Sequence, residues 1–316
     1  MATGLGIKTE FAIAQETTYG TESVATKQYF DAVSESVVLN NPNINSSRLR
    51  GGRLPTASAL VKGGRKTITG NIDVEVQAQS IGWFLKHLLG SVATTGTAVP
   101  YTHSFTLGDL PIGLTCFIKR DINTFVYKGM RINTAEFSVA DEMLRATFGF
   151  LGQDAATGGT FGTATYPANN DFYAFHEAVL TIDGSEAFVR DATVSFDNQL
   201  IEMPRLGSRL NRQPLDGRAV VTGTFRKEFE DTTIYDKFVS GQSATYSLKF
   251  TGKNYAGAST NRDLEFKFDA IHYTAATPNV PGPDPIPQEV SWEVRDDGTA
   301  DGGIEVILKN DTASYT

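Results

Sequence analysis

The 316-residue chain has few of the residues on which disulfide, metal and membrane chemistry depend. Its only cysteine is Cys116, which excludes an intramolecular disulfide and a cysteine-based metal site. No apolar run reaches the roughly 18 residues of a membrane-spanning helix. The first 15 residues lack the basic and apolar regions of a secretory signal. We therefore expect a chain that is made in the cytoplasm and folds without disulfides.

Catalytic motifs are also scarce. The four histidines form no HExxH-type pair, and neither a P-loop nor a Gly-x-Ser-x-Gly elbow is present. Cys116 lies in an apolar strand pattern, which favours a buried thiol over a nucleophile. The Asp- and Gly-rich stretch 297–303 lacks the spacing of a calcium loop. We predict no catalytic residue, metal site or cofactor; a glycan hydrolase with a carboxylate pair stays a minor alternative.

The chain has fewer basic than acidic side chains, and the acidic excess lies in its second half. The net charge is −8; residues 1–153 carry 14 basic and 12 acidic side chains, whereas residues 154–316 carry 14 and 24. A net acidic chain is a poor candidate for a nucleic-acid reader, because duplex binding depends on neutralising phosphates. The charge indicates either simple solubility or a surface to which DNA does not adhere.

Short segments of alternating polarity dominate the chain. In residues 66–76, Ile68, Ile72 and Val74 share one parity and polar residues the other, which predicts a half-buried strand. Two helices are predicted, at 80–90 and about 231–240, from apolar residues at helical spacing. Similar strand patterns occur at 101–107, 114–120, 124–128, 132–139, 143–151, 187–196, 218–229, 244–252, 263–273, 288–295 and 303–309.

An internal repeat is the most informative feature. Residues 64–70 read GRKTITG and residues 217–223 read GRAVVTG, at an offset of 153. The predicted helices align at the same offset, with Ile81 matching Ile234 and Leu85 matching Phe238. The sequence therefore predicts a duplicated unit in which a strand precedes an amphipathic helix.

A long segment rich in arginine precedes each repeated strand, at 40–66 and 197–218. Loops of this length are usually functional or disordered. Arginines on an acidic protein favour contact with a complementary acidic surface, such as another copy of the chain, over two solvated loops. The arginines concerned are Arg48, Arg50 and Arg53 in the first segment, and Arg205, Arg209 and Arg212 in the second.

The chain resembles the major tail tube proteins of long-tailed bacteriophages. Residues 11–21, FAIAQETTYGT, look like the start that is common in these proteins and their tail neighbours. The order of parts is also similar: an arm, a strand at 28–39, a long loop at 40–65, the Ile-Thr-Gly strand, a helix and paired strands. Because this order recurs in the second half, the resemblance covers nearly the whole chain.

The resemblance implies a mainly β fold with two tandem β-sandwich or half-barrel modules, each flanked by one α-helix. It implies a structural virion protein, not an enzyme, that self-assembles into stacked rings forming a hollow tube through which DNA is ejected. Two modules in one chain imply a homotrimeric, pseudo-hexameric ring; a hexamer is the alternative. The predicted divisions are an N-terminal arm (1–26), a first module (27–152), a linker (153–170) and a second module (171–316).

The resemblance also implies partners and positions for the charged residues. The six arginines would make contacts between rings and subunits, and the tape measure, tail terminator and distal tail proteins would be further partners. The chain would be made in the host cytoplasm and reside in the virion tail, without a membrane. Asp73, Glu75, Arg226 and Glu228 could line the lumen or face outer solvent. A minor tail protein, or a tail-tip protein or adhesin that binds the host surface, remains the alternative function.

Overall fold

We describe residues 3–47, 58–255, 260–299 and 301–315 of a computed structural model of the chain. Strands hold 54% of the structure and helices 8%, so the predicted mainly β class is confirmed. The first unit has α1 (Ile81–Leu89) and β1 (Thr9–Gln15), β2 (Gln28–Phe30), β3 (Ser34–Glu35), β4 (Val38–Asn40), β5 (Asn43–Asn45), β6 (Val61–Gly63), β7 (Thr67–Glu75), β8 (Gly90–Thr95), β9 (Tyr101–Leu107), β10 (Leu114–Arg120), β11 (Asn123–Val139), β12 (Arg145–Gly152) and β13 (Asp154–Thr157). The second unit has α2 (Thr233–Ser240) and β14 (Ala178–Ile182), β15 (Ser185–Ala187), β16 (Val189–Asp197), β17 (Ile201–Met203), β18 (Arg212–Leu215), β19 (Val220–Glu228), β20 (Ala244–Asn254), β21 (Asn261–Ala275), β22 (Pro287–Val294) and β23 (Ile304–Asn310). Short 3₁₀ turns lie at Gly6–Lys8, Ser58–Leu60 and Phe175–Glu177.

Close strand packing explains the glycine of the repeated Thr-Gly motif. A Cβ at Gly70 would meet the Ser36 carbonyl, and one at Gly223 would meet the Trp292 ring. Gly70 also has a φ of 143°, which side-chain-bearing residues rarely adopt. The motif therefore marks the point in each unit where a neighbouring group approaches the strand too closely for a side chain.

The two helices differ in depth. α1 buries eight of its nine residues, and the Phe84 ring stacks on Phe148 of β12 with centroids 4.6 Å apart. α2 buries only Ile234. Both helices end at a glycine with positive φ, Gly90 at 93° and Gly241 at 70°, which closes the last turn without a Cβ penalty. α1 is thus a core helix and α2 a surface helix with one anchor.

The strand pairings repeat between the units. The first unit has the order β3/β4–β7–β12–β11, and the second has β16–β19–β22–β21. β10 and β13 pair with the start of β11, as β20 and β23 pair with the start of β21. A register shift lies between Ile132 and Thr134 in β11 and between Tyr273 and Ala275 in β21. The sequence repeat is therefore also a repeat of topology.

Two strand pairings join the units. β11 pairs with β16, and β9 pairs with β23, so that nineteen strands belong to one antiparallel sheet. The core is continuous as well, because the Phe137 ring centroid lies 6.0 Å from Phe196 and 4.8 Å from Phe266 of the second unit. The two units share one core and one sheet.

The last described residues complete the core of the first unit. Tyr315 is fully buried, with its ring edge-on to Trp83 at 5.4 Å and to His103 at 4.7 Å. The Asn310 side chain donates a hydrogen bond to the Ala78 carbonyl at 2.9 Å. This carboxyl-terminal segment covers α1, which explains why α1 is more buried than α2.

Several predicted elements differ in extent from the structure. The strand predicted at 28–39 is three short strands, β2, β3 and β4, and those predicted at 124–128 and 132–139 are one strand, β11. The predicted arm contains β1, which pairs with β10, and the predicted linker contains β13, which pairs with β11. These strands are set by partners more than 25 residues away, which local patterns do not reveal. The limits of the two modules stay a prediction.

Candidate assembly surfaces

One face of the sheet is polar across six consecutive strands, in the order β7, β12, β11, β16, β19 and β22. Eight of its side chains are carboxylates and two are guanidiniums, so the face is acidic. Two grooves of about 750 and 430 Å³ lie along it. We call these side chains the polar face: Asn71, Asp73, Glu75, Thr134, Glu136, Ser138, Arg145, Thr147, Asp191, Thr193, Ser195, Asp197, Thr222, Thr224, Arg226, Glu228, Glu289, Ser291 and Glu293.

The four residues predicted as possible lumen residues all lie on the polar face, two in each unit. Asp73 accepts a hydrogen bond from the Thr147 hydroxyl at 2.7 Å. Glu75 stands opposite Arg145 in the β7–β12 register. The strand pairings that join the units thus bring Asp73 and Glu75 onto the same surface as Arg226 and Glu228.

Each arginine of the polar face has a carboxylate neighbour. Arg226 forms an ion pair with Asp191, and the hydrogen bond that the guanidinium donates to this carboxylate raises the pKa of Arg226. Arg145 lies 3.0 Å from Glu142. The cations are therefore compensated locally, and the excess charge that the face presents to an approaching polyanion is negative.

Both predicted arginine-rich loops contain a two-stranded hairpin. β5 pairs with β6 in the first, and β17 pairs with β18 in the second. Residues 48–57, and with them Arg48, Arg50 and Arg53, lie outside the described residues. The hairpins extend the duplication to segments that the sequence pattern predicts only as loops.

The three arginines of the second hairpin have different surroundings. Arg205 and Arg212 are exposed and form no ion pair with any described residue. Arg209 is held within its own chain: its Nε donates to the Gly64 carbonyl at 2.7 Å, and its carbonyl accepts from the Lys66 amide at 2.9 Å. Arg209 thus ties the base of one hairpin to the base of the other.

A buried cation fixes the second hairpin to the sheet. Arg131 of β11 is 3% exposed and forms a 2.6 Å ion pair with Asp216. Its guanidinium also donates to the carbonyls of Pro214 at 2.6 Å and Leu110 at 3.2 Å. Removing Asp216 would leave the buried guanidinium without its counter-charge, which is costly. The hairpin is therefore held firmly at its base.

The glutamate of the QETTYG segment is structural. Glu16 is 1% exposed and accepts hydrogen bonds from the Gly20 amide at 2.7 Å, the Gly129 amide at 2.8 Å and the Thr115 hydroxyl at 2.9 Å. Burial raises the pKa of this carboxyl, and the three hydrogen bonds act in the opposite direction. Glu16 thereby fixes the turn after β1 onto β10 and β11.

Cys116 and His87 are two further titratable groups in the core. Cys116 is fully buried, and burial raises the pKa of its thiol to about 12. His87 is buried, and desolvation, with the charges of Lys86 and Arg131, lowers its pKa to about 3. Across the described ranges, no three His, Cys, Asp or Glu side chains cluster as metal ligands would.

Two outer edges of the repeated sheet have a partner strand on one side only, within the described residues. β3 and β4 pair with β7, whereas their equivalent β16 pairs with both β19 and β11. The end of β21 pairs with β22, whereas the equivalent part of β11 pairs with both β12 and β16. An edge strand of this kind is a template for a further strand.

The family model of the phage tail tube proteins matches residues 6–294. The chain belongs to this family. The match spans both units and includes all six strands of the polar face, and the resemblance carried by residues 11–21 and by the order of parts is confirmed. No curated protein matches the chain.

Membership gives the chain a structural role in the phage tail, in a family that assembles with itself and with other tail proteins. It assigns the chain to the virion tail and to a family of structural proteins. In the described part of the chain, neither helix has the length and apolar content of a membrane span.

Sequence reasoning missed the interlocking of the units. The pairing of β9 with β23 joins residues about 200 apart, and no local pattern reveals it. β1 had a readable signal, because Phe11–Ala14 form an apolar run that is fully buried. Arg131 had none, because its partners come from two segments that are distant in the chain, Leu110 and residues 214–216.

Proposed function

We propose that this tail tube protein self-assembles into rings that stack into the hollow tail tube through which DNA is ejected. The observation that carries the proposal is the six-stranded sheet with one apolar and one acidic face. The strands that flank this sheet, β3 with β4 and the end of β21, have a partner on one side only among the described residues, and their free edges match the β11–β16 contact inside the chain. A ring of such sheets would enclose a polar channel and leave no exposed edge.

The β11–β16 contact is the template for the contact between chains. By equivalence, residues 275–280 of one copy would pair with residues 35–40 of the next. Thr134 stands opposite Asp197 in the internal contact. Ala275 is the equivalent of Thr134 and Asn40 the equivalent of Asp197, so Ala275 of one copy would stand opposite Asn40 of the next. Val38 and Val280, which are 51% and 65% exposed in the free chain, would be covered. Because each chain supplies two equivalent units, three chains would give a pseudo-sixfold ring.

The polar face would line the lumen in this arrangement. Its uncompensated carboxylates would repel the phosphates of passing DNA, and the repulsion between single exposed charges is weak and screened by salt. Asp73 and Glu75 would contribute negative charge, whereas Glu228 pairs with Arg190 and Arg226 pairs with Asp191. DNA would pass without specific binding.

The two hairpins would make the contacts between rings. We expect Arg48, Arg50, Arg53, Arg205 and Arg212 to meet carboxylates of the adjacent ring, with Arg209 keeping the hairpins together. The tape measure, tail terminator and distal tail proteins would contact the inside and the two ends of the tube.

Reversing the charge of both Arg48 and Arg50 to Glu should block stacking and leave the fold intact, because the contact between rings would become repulsive. Electron microscopy should then show single rings in place of tubes, while circular dichroism is unchanged. Lys253→Glu with Arg295→Glu, two exposed positions outside the hairpins, is the matched control and should give tubes. Tubes of normal length from the arginine variant would refute this role.

Electron microscopy of the concentrated protein tests the whole proposal through the rotational symmetry of end-on views. Rings or tubes with three chains per ring are expected. Six chains per ring would keep the tube and refute the trimer. No assembly in the presence of the distal tail protein, together with saturable binding to bacterial cells, would favour the tail-tip or adhesin alternative.

A further inference from the structure

The segment before the first strand has the same conformation in both units. The turn Gly6–Lys8 precedes β1, as the turn Phe175–Glu177 precedes β14. The Lys8 amide donates to the Leu5 carbonyl at 3.1 Å, and the Glu177 amide donates to the Ala174 carbonyl at 3.0 Å. Leu5 and Ala174 are both extended, with φ of −113° and −107°. The amino-terminal segment therefore has the shape of the segment that links the two units.

The linking segment docks on the first unit. It runs between the residues that follow β7 and those that precede β12. The Tyr173 amide donates to the Val76 carbonyl at 3.3 Å, and the Leu144 amide donates to the Tyr173 carbonyl at 2.8 Å. The Phe175 amide donates to the Glu142 carbonyl at 2.9 Å. The segment that leads into one unit thus pairs with the preceding unit.

The second unit has the same slot without an occupant among the described residues. The Phe229 amide donates to the Ile286 carbonyl at 2.9 Å, as the Val76 amide does to the Leu144 carbonyl at 2.9 Å. The Ile286 amide corresponds to the Leu144 amide, which donates to the Tyr173 carbonyl in the first unit. The Ile286 amide forms no hydrogen bond with any described residue. Phe229 and Ile286 are both partly exposed. The slot offers a donor and an acceptor that a further strand would satisfy.

We propose that residues 3–6 of one copy dock in the slot between Phe229 and Ile286 of the neighbouring copy in the ring. The linking segment leads into the second unit and pairs with the unit before it, the first. By the same rule, the amino-terminal segment, which leads into the first unit, would pair with a second unit that lies before it. In the proposed ring, the unit that precedes the first unit of one copy is the second unit of its neighbour, because residues 275–280 of that neighbour would pair with residues 35–40. The occupant is therefore a second copy of the chain, and the inference rests on the proposed ring.

The contact depends on main-chain hydrogen bonds and apolar cover. Gly4 stands where Tyr173 does, so no buried ring accompanies it. Leu5 and Ile7 are 52% and 94% exposed in the free chain and would gain cover. The contact between chains would thus be weaker than its counterpart within the chain, which suits a segment that docks during assembly.

A designed disulfide tests the docking. Met143 and Ala174 face each other in an antiparallel bridge, and their counterparts are Pro285 and Leu5 of the next copy. Facing residues of such a bridge have Cβ atoms close enough for a disulfide. Oxidised rings of the double variant Leu5→Cys/Pro285→Cys should therefore give covalent dimers and trimers on a non-reducing gel, with a ladder that stops at three.

Two matched variants control the experiment. Met143→Cys/Ala174→Cys should form its disulfide within one chain and run as a monomer, which verifies that the geometry permits the bond. Leu5→Cys/Met143→Cys should give no crosslink, because the linking segment already fills that slot. The buried native Cys116 is kept in all variants.

The outcomes separate the docking from the ring. If rings form and the internal control crosslinks while Leu5→Cys/Pro285→Cys stays monomeric, the docking is wrong and the ring stands. A ladder extending beyond three chains would place the amino-terminal segment in another ring and also overturn the inference. If electron microscopy shows no rings, the proposed function itself fails.

Discussion

At the scale of the residue, the core contains polar groups that serve the fold. Glu16 accepts three hydrogen bonds and Arg131 forms an ion pair and two hydrogen bonds, each reaching segments far away in the chain. Buried polar groups that bind partners in other segments fix one arrangement of those segments. These residues set where the polar face and the second hairpin stand.

Replacing Glu16 by Ala should lower the free energy of unfolding by about 3 kcal/mol, because the buried Gly129 amide, the half-buried Gly20 amide and the buried Thr115 hydroxyl lose their acceptor. Glu16→Gln should cost less, since one carbonyl oxygen remains. Chemical denaturation of the unassembled chain measures both. The control Glu22→Ala changes an exposed carboxylate nearby and should stay within about 0.5 kcal/mol of the wild type. An equal loss of stability in Glu16→Ala and Glu22→Ala would contradict the structural role of Glu16.

Acid should destabilise the fold through His87. Its pKa is about 3 in the folded chain and 6.5 for a free histidine side chain, so the unfolded chain binds the proton more tightly. The stability is therefore present above pH 6.5 and falls as the pH drops towards 3, by up to about 1.4 kcal/mol for each pH unit. His87→Leu should reduce this slope in unfolding measurements across the acid range. The matched control is His176→Leu at an exposed position; the same slope in wild type and His87→Leu would refute the assignment.

The residues of the polar face could be predicted, whereas the buried ion pair could not. The alternation around Asp73 and Glu75 has a period of two, so the sequence alone places them on one face of a strand. Strand pairing decides which residues of other strands share that face, and the sequence alone does not show it. Arg131 carries no local signal, because its environment is formed by Leu110, Pro214 and Asp216.

At the scale of the element, the chain contains one copy of the contact that we assign to the ring. Amides in residues 34–40 and 272–280 should exchange with solvent more slowly in rings than in single chains, by about tenfold or more, because they would gain ladder hydrogen bonds. Hydrogen exchange read by mass spectrometry measures this. Residues 192–197 of β16 already have partners on both sides and serve as the internal control. Unchanged exchange at both edges in verified rings would place the interface elsewhere.

Helices and most strands could be predicted, because their periodicity is local. α1 and α2 lie within the predicted ranges, and β9 and β10 agree with theirs. The hairpins inside the arginine-rich loops were missed, since β5 and β17 are short and lack a buried face. The strand predicted at 28–39 is divided because β3 and β4 pair with β7 as two separate bridges.

At the scale of the whole molecule, the charge of the polar face should decide whether DNA slides or adheres. Changing Glu136, Glu289 and Glu293 to Lys would leave five carboxylates and five cations on the polar face, which removes its negative excess without touching the core. Tubes of this variant should retain more duplex DNA than wild-type tubes in cosedimentation at low salt and release it as salt rises, because the new lysines attract phosphates electrostatically. Glu22, Asp109 and Glu186, exposed and outside the six strands, give the matched triple-Lys control. Equal retention by both variants would show that the polar face does not contact DNA.

The duplication could be predicted at this scale, but the interlocking could not. GRKTITG and GRAVVTG align because each unit needs the same close approach at Gly70 and Gly223. The pairing of β9 with β23 and the covering of α1 by Tyr315 have no counterpart in the repeat, so no comparison of the two halves reveals them.

The pairing of β9 with β23 also determines when the first unit can finish folding during synthesis. The ribosome must add about 200 residues after β9 before β23 is synthesised. This synthesis takes roughly 10 to 40 s at bacterial elongation rates. Until then the first unit lacks the strand and the tyrosine that close its core. A nascent chain therefore cannot complete the core of its first unit until β23 has been synthesised.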